Sequence, residues 1–464
     1  MVRILGRYIP IKIVILAITE SALIVVSIAV AFWIRFGSPA DAIWYLSRPY
    51  TAAQISVVVL VCWICLYYND MYDLQVVARR SELVVHLMQA LGTAGLILAL
   101  LYYLAPDLSL GRGVSAIAAG LIFASLLGWR LVVDSGDFFR PVHRLVIAGT
   151  GAGGIRLVRE ILARPELNLK VLGFLDEKGE HIGEPLVNPG IVGGVADIEN
   201  YVRREQVDWV ILGFGERRGV MPTNQLLRLK LSGVVVEDAH SLFEKLMGGV
   251  MLERLSASWL ILSEGFHKDF LLMLSKRILD VVISLVILAL FSPILLLISA
   301  AIFLESGGPV LFRQERVGLH DCTFEIVKFR SMRQDAEEDG PKWATRDDAR
   351  ITRIGRFLRE YRLDEIPQLV NVLRGDMSLV GPRPERPEFV HMLGEQIPFY
   401  HERHTIRPGL TGWAQIRYQY GSSVEDAKTK LEYDLFYIKH LSLFLDLVIV
   451  FRTVQVVLSG KGAR

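Results

Sequence analysis

Lys276-Arg277-Ile278-Leu279-Asp280 opens an apolar run over 281–304 that Ser292-Pro293 interrupts near its middle. Read alone, the run is a kinked transmembrane helix, because one proline bends an apolar helix more often than it ends it. Read as two halves, each covers roughly 18–20 Å, short of the roughly 30 Å hydrocarbon core. Lys276 and Arg277 suit the lipid headgroups at the point of entry. The choice decides on which side of a membrane everything after residue 304 lies.

The upstream sequence makes that choice. Four apolar stretches, 11–34, 52–68, 87–104 and 114–133, reach or approach the roughly 20 residues that cross a bilayer. The first is too long, and too poor in small residues for cleavage, to be a signal peptide. Arg3, Arg7 and Lys12 precede it, Arg79 and Arg80 separate the second from the third, and Arg140 and Arg144 follow the fourth. The other two connections hold only Arg35, Arg48 and Arg112. The positive-inside rule therefore puts both ends of this block, and the chain beyond it, in the cytoplasm. A helix that enters, breaks at Ser292-Pro293 and returns keeps the C-terminal region there. The expectation is a re-entrant helix over about 278–304.

Composition agrees: 52% of residues are hydrophobic and only 22% charged, more apolar than an ordinary soluble protein. The net charge of +2 gives no global affinity for nucleic acid, so none is expected as a partner. Cys62, Cys65 and Cys322 build no disulfide framework, and Cys62 and Cys65 sit in an apolar run, where they read as packing. Glu20, at mid-span, reads either as a functional acid or as a protonated one bonded to a neighbouring helix, and no role is assigned to it.

Downstream, arginines recur at 350, 353, 356, 359 and 362, a spacing that lines one side of a helix. The row ends at the adjacent acids Asp364 and Glu365, with Arg374, Arg383 and Arg386 close behind. Guanidiniums grip phosphate oxygens in a fork, so this grouping suits a phosphate ester. A salt-bridged solvent face is the alternative, but such a face does not need the rigid Gly381-Pro-Arg383-Pro turn or Pro367. The acidic run 335–339 reads as a solvated loop.

Between the two regions the pattern turns α/β. A short apolar strand runs into Gly149-Thr-Gly151-Ala-Gly153-Gly154, a helix follows, and a second strand ends at Asp176. Gly149, Gly151 and Gly154 fit a dinucleotide fingerprint with Asp176 placed for a ribose, and they equally fit close helix-on-strand packing. The pattern continues through two further strands and predicts a small parallel sheet of Rossmann type. The only tyrosine between 145 and 260 is Tyr201, followed by Val-Arg-Arg-Glu, so no Tyr-x-x-x-Lys of a sugar dehydratase or epimerase is present there.

The region from Lys276 onward resembles the bacterial polyprenyl-phosphate sugar phosphotransferases of the monotopic phosphoglycosyl transferase superfamily. With the membrane block and glycine-turn domain in front, it resembles their large form, which includes undecaprenyl-phosphate glucose and galactose phosphotransferases. The motifs are Pro309-Val-Leu-Phe-Arg-Gln-Glu-Arg-Val-Gly318, Phe324-Glu-Ile-Val-Lys-Phe-Arg-Ser-Met332, Leu363-Asp-Glu-Ile-Pro-Gln368, Ser378-Leu-Val-Gly-Pro-Arg-Pro-Glu385 and Arg407-Pro-Gly-Leu-Thr-Gly-Trp413. The resemblance implies transfer of a sugar-1-phosphate from a nucleotide-sugar, a UDP-hexose, to undecaprenyl phosphate with release of nucleoside monophosphate. Such a step starts a repeat unit of exopolysaccharide, O-antigen or capsule.

It further implies an inner-membrane enzyme with a cytoplasmic catalytic domain, membrane lipid as a partner, and a homodimer. Asp364 matches the nucleophile of an aspartyl-phosphosugar intermediate, and Glu365 the second acid. Both are expected to hold Mg²⁺, which suits carboxylates plus phosphate oxygens. Arg359 and Arg383 match phosphate-binding positions. Lys328 and Arg330, alternating with apolar neighbours as on a strand, and Arg353 join them as candidates. Trp413 reads as a packed turn aromatic. The tail 436–458 reads either as an interfacial helix or as a helix on the catalytic core.

The expected architecture is thus a helical transmembrane region over 1–138, a Rossmann-like α/β domain over 139–262, and a mostly α monotopic catalytic domain over 270–464. Two rivals remain. A nucleotide-sensing membrane regulator would leave Asp364-Glu365 and its arginines unexplained. A conventional glycosyl transferase usually carries Asp-x-Asp, which occurs nowhere in this chain.

Overall fold

The computed structural model describes residues 2–4, 7–9, 11–69, 71–72, 80–135, 142–214, 221–252, 260, 263, 265–266, 268–333, 350–418, 421 and 423–458. Arg79, Arg140 and the acidic run 335–339 lie outside them. The chain forms two compact units, Met1–Leu242 and Phe243–Arg464.

The first unit begins with α1 (Ile11–Phe36), the short α2 (Pro39–Leu46), α3 (Thr51–Tyr68), α4 (Arg80–Leu104) and α5 (Arg112–Ser135). Four of these, α2 excepted, are long and apolar enough to cross a membrane, as the hydropathy pattern predicts. Lipid offers no hydrogen bonds, so the backbone must satisfy itself within each helix. Inside the bundle Ile24, Ile28, Cys62, Cys65, Leu87 and Leu126 pack together, while Ile18, Leu60, Leu96 and Leu100 face outward. Both bundle cysteines are thus packing residues. Glu20 is fully buried in an ion pair with Arg130 of α5 at 2.6 Å, and the Tyr72 hydroxyl donates to its other oxygen at 2.8 Å. A neighbouring helix thus supplies Glu20 with a cation that a reading of one span does not reveal.

The same unit carries a five-stranded parallel sheet. Its strands are β1 (His143–Ala148), β2 (Leu169–Asp176), β3 (Ile191–Gly194), β4 (Trp209–Leu212) and β5 (Val235–Asp238), in the order β3-β2-β1-β4-β5. Helices α6 (Ala152–Leu162), α7 (Ile198–Glu205) and α8 (Thr223–Leu231) connect them. Leu145 to Ala148 are fully buried, the continuous apolar run of a strand covered on both faces. The chain reverses direction across the sheet between β1 and β4, the switch point of a Rossmann-like fold.

The second unit opens on α9 (Phe270–Ser306), a helix of 37 residues with Pro293 inside it. It is not divided into two helices at Ser292-Pro293; the Ser292 hydroxyl donates to the Ala289 carbonyl at 2.8 Å within one continuous element. Both ends of α9 are bonded into the same domain. At its start, Lys276 donates to Asp446 at 2.7 Å and to the Val380 carbonyl at 3.0 Å, and Asp280 accepts the Leu379 N–H. Arg277 donates to the carbonyls of Val372 and Leu373. At its end, Ser306 accepts from Arg330, and Glu305 accepts the Arg353 N–H at 2.9 Å. Between them Leu285, Val286, Leu290, Leu296 and Leu297 are exposed.

Lys276 and Arg277 therefore do not reach for headgroups. Lys276 is a buried cation that requires Asp446, and Arg277 satisfies helix-end carbonyls that would otherwise be orphaned.

Around α9 lie the antiparallel hairpin β6 (Leu311–Val317) and β7 (Thr323–Phe329), α10 (Arg353–Glu360), α11 (Leu369–Arg374), and β8 (Ser378–Val380). The chain continues through α12 (Pro387–Gln396), β9 (Gly409–Thr411), parallel to β8, α13 (Trp413–Arg417), α14 (Val424–Lys439) and α15 (Leu443–Leu458). The tail joins the core of this unit through Leu435, Phe436, Leu445 and Ile449, while Phe444, Leu447, Phe451 and Val454 form an exposed apolar stripe on α15. Trp413 is buried and donates to the Gly248 carbonyl at 2.8 Å, so it is a packing residue.

Lys276→Met strands a buried carboxylate and should destabilise the protein by about 3–5 kcal/mol, read by denaturation in detergent. Lys276→Met with Asp446→Leu should recover most of that loss.

Candidate active site

The site is built at the junction of β7, α10 and the turn that follows. Gly355, in the first turn of α10, lies so close to β7's end that a Cβ there would stand 2.0 Å from the Ser331 carbonyl oxygen. The Thr352 hydroxyl accepts the Gly355 N–H at 2.9 Å and caps the helix. α10 ends at Glu360, and Arg362 adopts a left-handed conformation (φ 52°) that redirects the chain into a 3₁₀ turn, Leu363–Gln368. The arginine row is thus one helix face only over Arg353, Arg356 and Arg359. Arg350 precedes the helix and Arg362 turns out of it, because spacing fixes a face only while the backbone stays helical.

Asp364 and Glu365 occupy the 3₁₀ turn, where successive side chains point about 120° apart. Glu365 accepts a 2.6 Å bond from Arg383, and its other oxygen lies 3.9 Å from Arg362. Burial opposes its ionisation, but the charges of Arg383 and Arg362 hold its carboxyl well below the usual range. Asp364 behaves oppositely: burial first, then the charge of Glu365, raises its carboxyl, while Lys328, Arg359 and Arg383 pull it back. Two adjacent acids are thereby driven apart in character, one anchored and anionic, the other more readily protonated.

Lys328 lies over the Phe312 ring at 5.3 Å. Burial, aided by Arg316, pushes its ammonium down to about 8 against the pull of Asp364 and Glu365. Arg359 donates to the Ser331 hydroxyl at 2.9 Å. Arg383 stands between two prolines in a turn set by backbone contact between two motifs. A Cβ at Gly381 would lie 2.5 Å from the Arg407 carbonyl oxygen, and one at Gly409 would lie 2.1 Å from the Gly381 nitrogen. Only glycine admits that approach. The arrangement can bind phosphate oxygens and present a carboxylate to phosphorus. Its two carboxylates are hard oxygen donors, a set that suits Mg²⁺.

Not every candidate joins this cluster. Arg330 is buried and holds the end of α9 through Ser306 and Gly307. Arg353 gives its backbone N–H to Glu305 and leaves its side chain exposed. Ser292 and Pro293 lie within α9. In the parallel-sheet domain, a Cβ at Gly149 would stand 2.8 Å from the Phe214 backbone, and one at Gly154 would stand 3.0 Å from Ile147. The Gly151 N–H donates to the Gly213 carbonyl, and Asp176 accepts the Glu180 N–H. Close packing calls for glycine at 149 and 154, and Gly149 also has φ of 99°. The sequence reading passed over Arg316 and Arg403. Arg403, paired to Asp434 at 2.8 Å, donates to the Arg383 carbonyl at 3.0 Å. Its contact spans 20 residues of chain, and no spacing announces it.

Residues 271–460 match the family described as bacterial sugar transferase, and residues 67–216 match a CoA-binding domain. A UDP-N-acetylgalactosamine-undecaprenyl-phosphate N-acetylgalactosaminephosphotransferase of Aeromonas hydrophila is 42% identical over 52% of this chain and 56% of its own length. An undecaprenyl-phosphate glucose phosphotransferase of Komagataeibacter xylinus is 34% identical over 70% of this chain and 60% of its own. The match thus spans less than two thirds of these two relatives. A UDP-glucose:undecaprenyl-phosphate glucose-1-phosphate transferase of Xanthomonas campestris pv. campestris is 30% identical over 99% of this chain and 96% of its own.

Proposed function

From a chain that belongs to the bacterial sugar transferase family of polyprenyl-phosphate sugar phosphotransferases, we propose a specific reaction. The enzyme transfers a hexose-1-phosphate from a UDP-hexose to undecaprenyl phosphate through a covalent intermediate on Asp364. The observation that carries this reading is the buried Asp364 beside Glu365, with Glu365 anchored on Arg383 at 2.6 Å and Lys328 near both.

The Asp364 carboxylate attacks the sugar-bearing phosphorus, the bond to the nucleoside phosphate breaks, and nucleoside monophosphate leaves. The undecaprenyl phosphate oxygen then attacks the same phosphorus and restores the free carboxylate. Charge develops on the phosphoryl oxygens in both steps, and the fixed cations Lys328, Arg359 and Arg383 stabilise it. Asp364 and Glu365 would hold Mg²⁺, which when bound supplies further neutralisation of donor phosphate charge. The product opens a polysaccharide repeat unit.

The acceptor is a lipid, and α9 supports its delivery at a membrane surface. Both ends of this helix bond to one domain while its middle exposes leucines, which supports a helix that enters the bilayer and returns over one that crosses it. The exposed apolar stripe of α15 suits the same interface. The catalytic domain faces the cytoplasm, where nucleotide-sugars are.

Purified enzyme with Mg²⁺, undecaprenyl phosphate and UDP-hexoses should release UMP, and Asp364→Asn should lower the rate by at least about a thousandfold. Release of UDP instead would sink the phosphotransfer reading. Acid should inhibit at a higher pH than an ordinary carboxylate would give, because Asp364 must be ionised to attack and its carboxyl is raised. Lys328→Met removes a cation that lowers it, so the acid limb of the pH–rate profile should move further up. For orientation, the exposed Cys322 should react with an impermeant maleimide in inside-out vesicles and be protected in intact cells.

A further inference from the structure

Asp321, His401 and His404 bring one ligand atom each to a common point, all within 4.8 Å of one another. The Nδ1 atoms of His401 and His404 stand 3.0 and 2.6 Å from the same Asp321 oxygen. His404 is buried, whereas His401 and Asp321 are about half exposed, so the point is reachable from solvent. His401 and His404 are three apart in the 3₁₀ segment Tyr400–Thr405, where such positions eclipse and project on one side. Asp321 comes from the turn between β6 and β7, at the opposite end of β7 from Lys328, and the strand between them covers roughly 20 Å.

His320 and Asp321 have φ of 53° and 58°, left-handed values at both centres of a hairpin turn, where Asn-Gly is the favoured pair. Glycine at 321 would relieve that backbone.

Two outcomes fit a carboxylate facing two imidazoles. Each ring can donate an N–H to the oxygen, or one cation can replace both protons. Two imidazole nitrogens with one carboxylate, leaving a fourth position open, form a set that suits a borderline-soft divalent ion and not an oxygen-seeking one. We propose that Asp321, His401 and His404 form a zinc-class divalent metal site, separate from the Asp364–Glu365 centre. The ion ties the β6–β7 turn to the Tyr400–Thr405 segment. That segment carries Arg403, which donates to the Arg383 carbonyl at 3.0 Å, and Arg383 holds Glu365.

The test uses the full chain in detergent, prepared without a histidine tag, stripped with chelator and dialysed against Zn²⁺ alone. Metal per chain is counted by elemental analysis, and affinity is read by competition with a chromophoric chelator. The wild type should hold one tightly bound zinc. Asp321→Gly, which also relieves the turn, and the exposed-site variant His401→Ala should each bind it at least about tenfold more weakly. Asp364→Asn should bind zinc as the wild type does. Absence of bound zinc in the wild type, or undiminished zinc in either ligand variant, overturns the site, as does loss of the ion in Asp364→Asn.

Discussion

Two carboxylates on consecutive residues cannot both stay charged in a buried turn unless cations are fixed around them, and much of the catalytic domain serves that requirement. Glu365 is held anionic by Arg383, and Arg383 is held by glycine contacts between Gly381 and Gly409 and by the Arg403 bond to its carbonyl. Lys328 arrives on a β-hairpin, and Arg359 on a helix whose start is pressed against Ser331 at Gly355. A buried charge left with no partner is the costliest arrangement in a protein interior, and these supports together prevent it. The same crowding raises Asp364 and so separates the ionisation of two chemically similar acids.

The long helix α9 obeys a second constraint. Its middle is apolar and exposed, yet each end carries buried polar contacts into one domain. Lys276, Asp446 and Tyr437 form a small polar core at its start, with the Tyr437 hydroxyl 2.6 Å from Asp446. Arg330 serves at its end, where a helix terminus has carbonyls without partners. Arg330 shares a strand with Lys328 in sequence, but one reaches the acids and the other a helix end. Periodicity placed both on the strand and could not divide them.

Legibility followed the range of the interaction. Apolar runs marked four spanning helices because hydropathy is a local property summed over a window. Alternation of strand and helix marked the parallel sheet, and adjacency marked Asp364 and Glu365. Glu20 was visible as an anomaly, but its cation Arg130 lies on another helix and was not. Lys276 and Arg277 looked like headgroup anchors because their partners, Asp446 and the carbonyls of Val372 and Leu373, lie far along the chain. The glycines at 149 and 154 fit both readings in the sequence, and the contacts with Phe214 and Ile147 that demand them come from distant residues.

By itself, then, the sequence determined the membrane block, the α/β domain, the acidic pair and the motifs that carry the family resemblance, because each is written in neighbouring residues. Tertiary structure alone decided which arginines meet the acids, how the acids divide their charge, and which polar groups tie α9 at both ends. Those outcomes depend on desolvation and on distances of a few ångströms between residues remote in the chain, and neither quantity exists until the chain is folded.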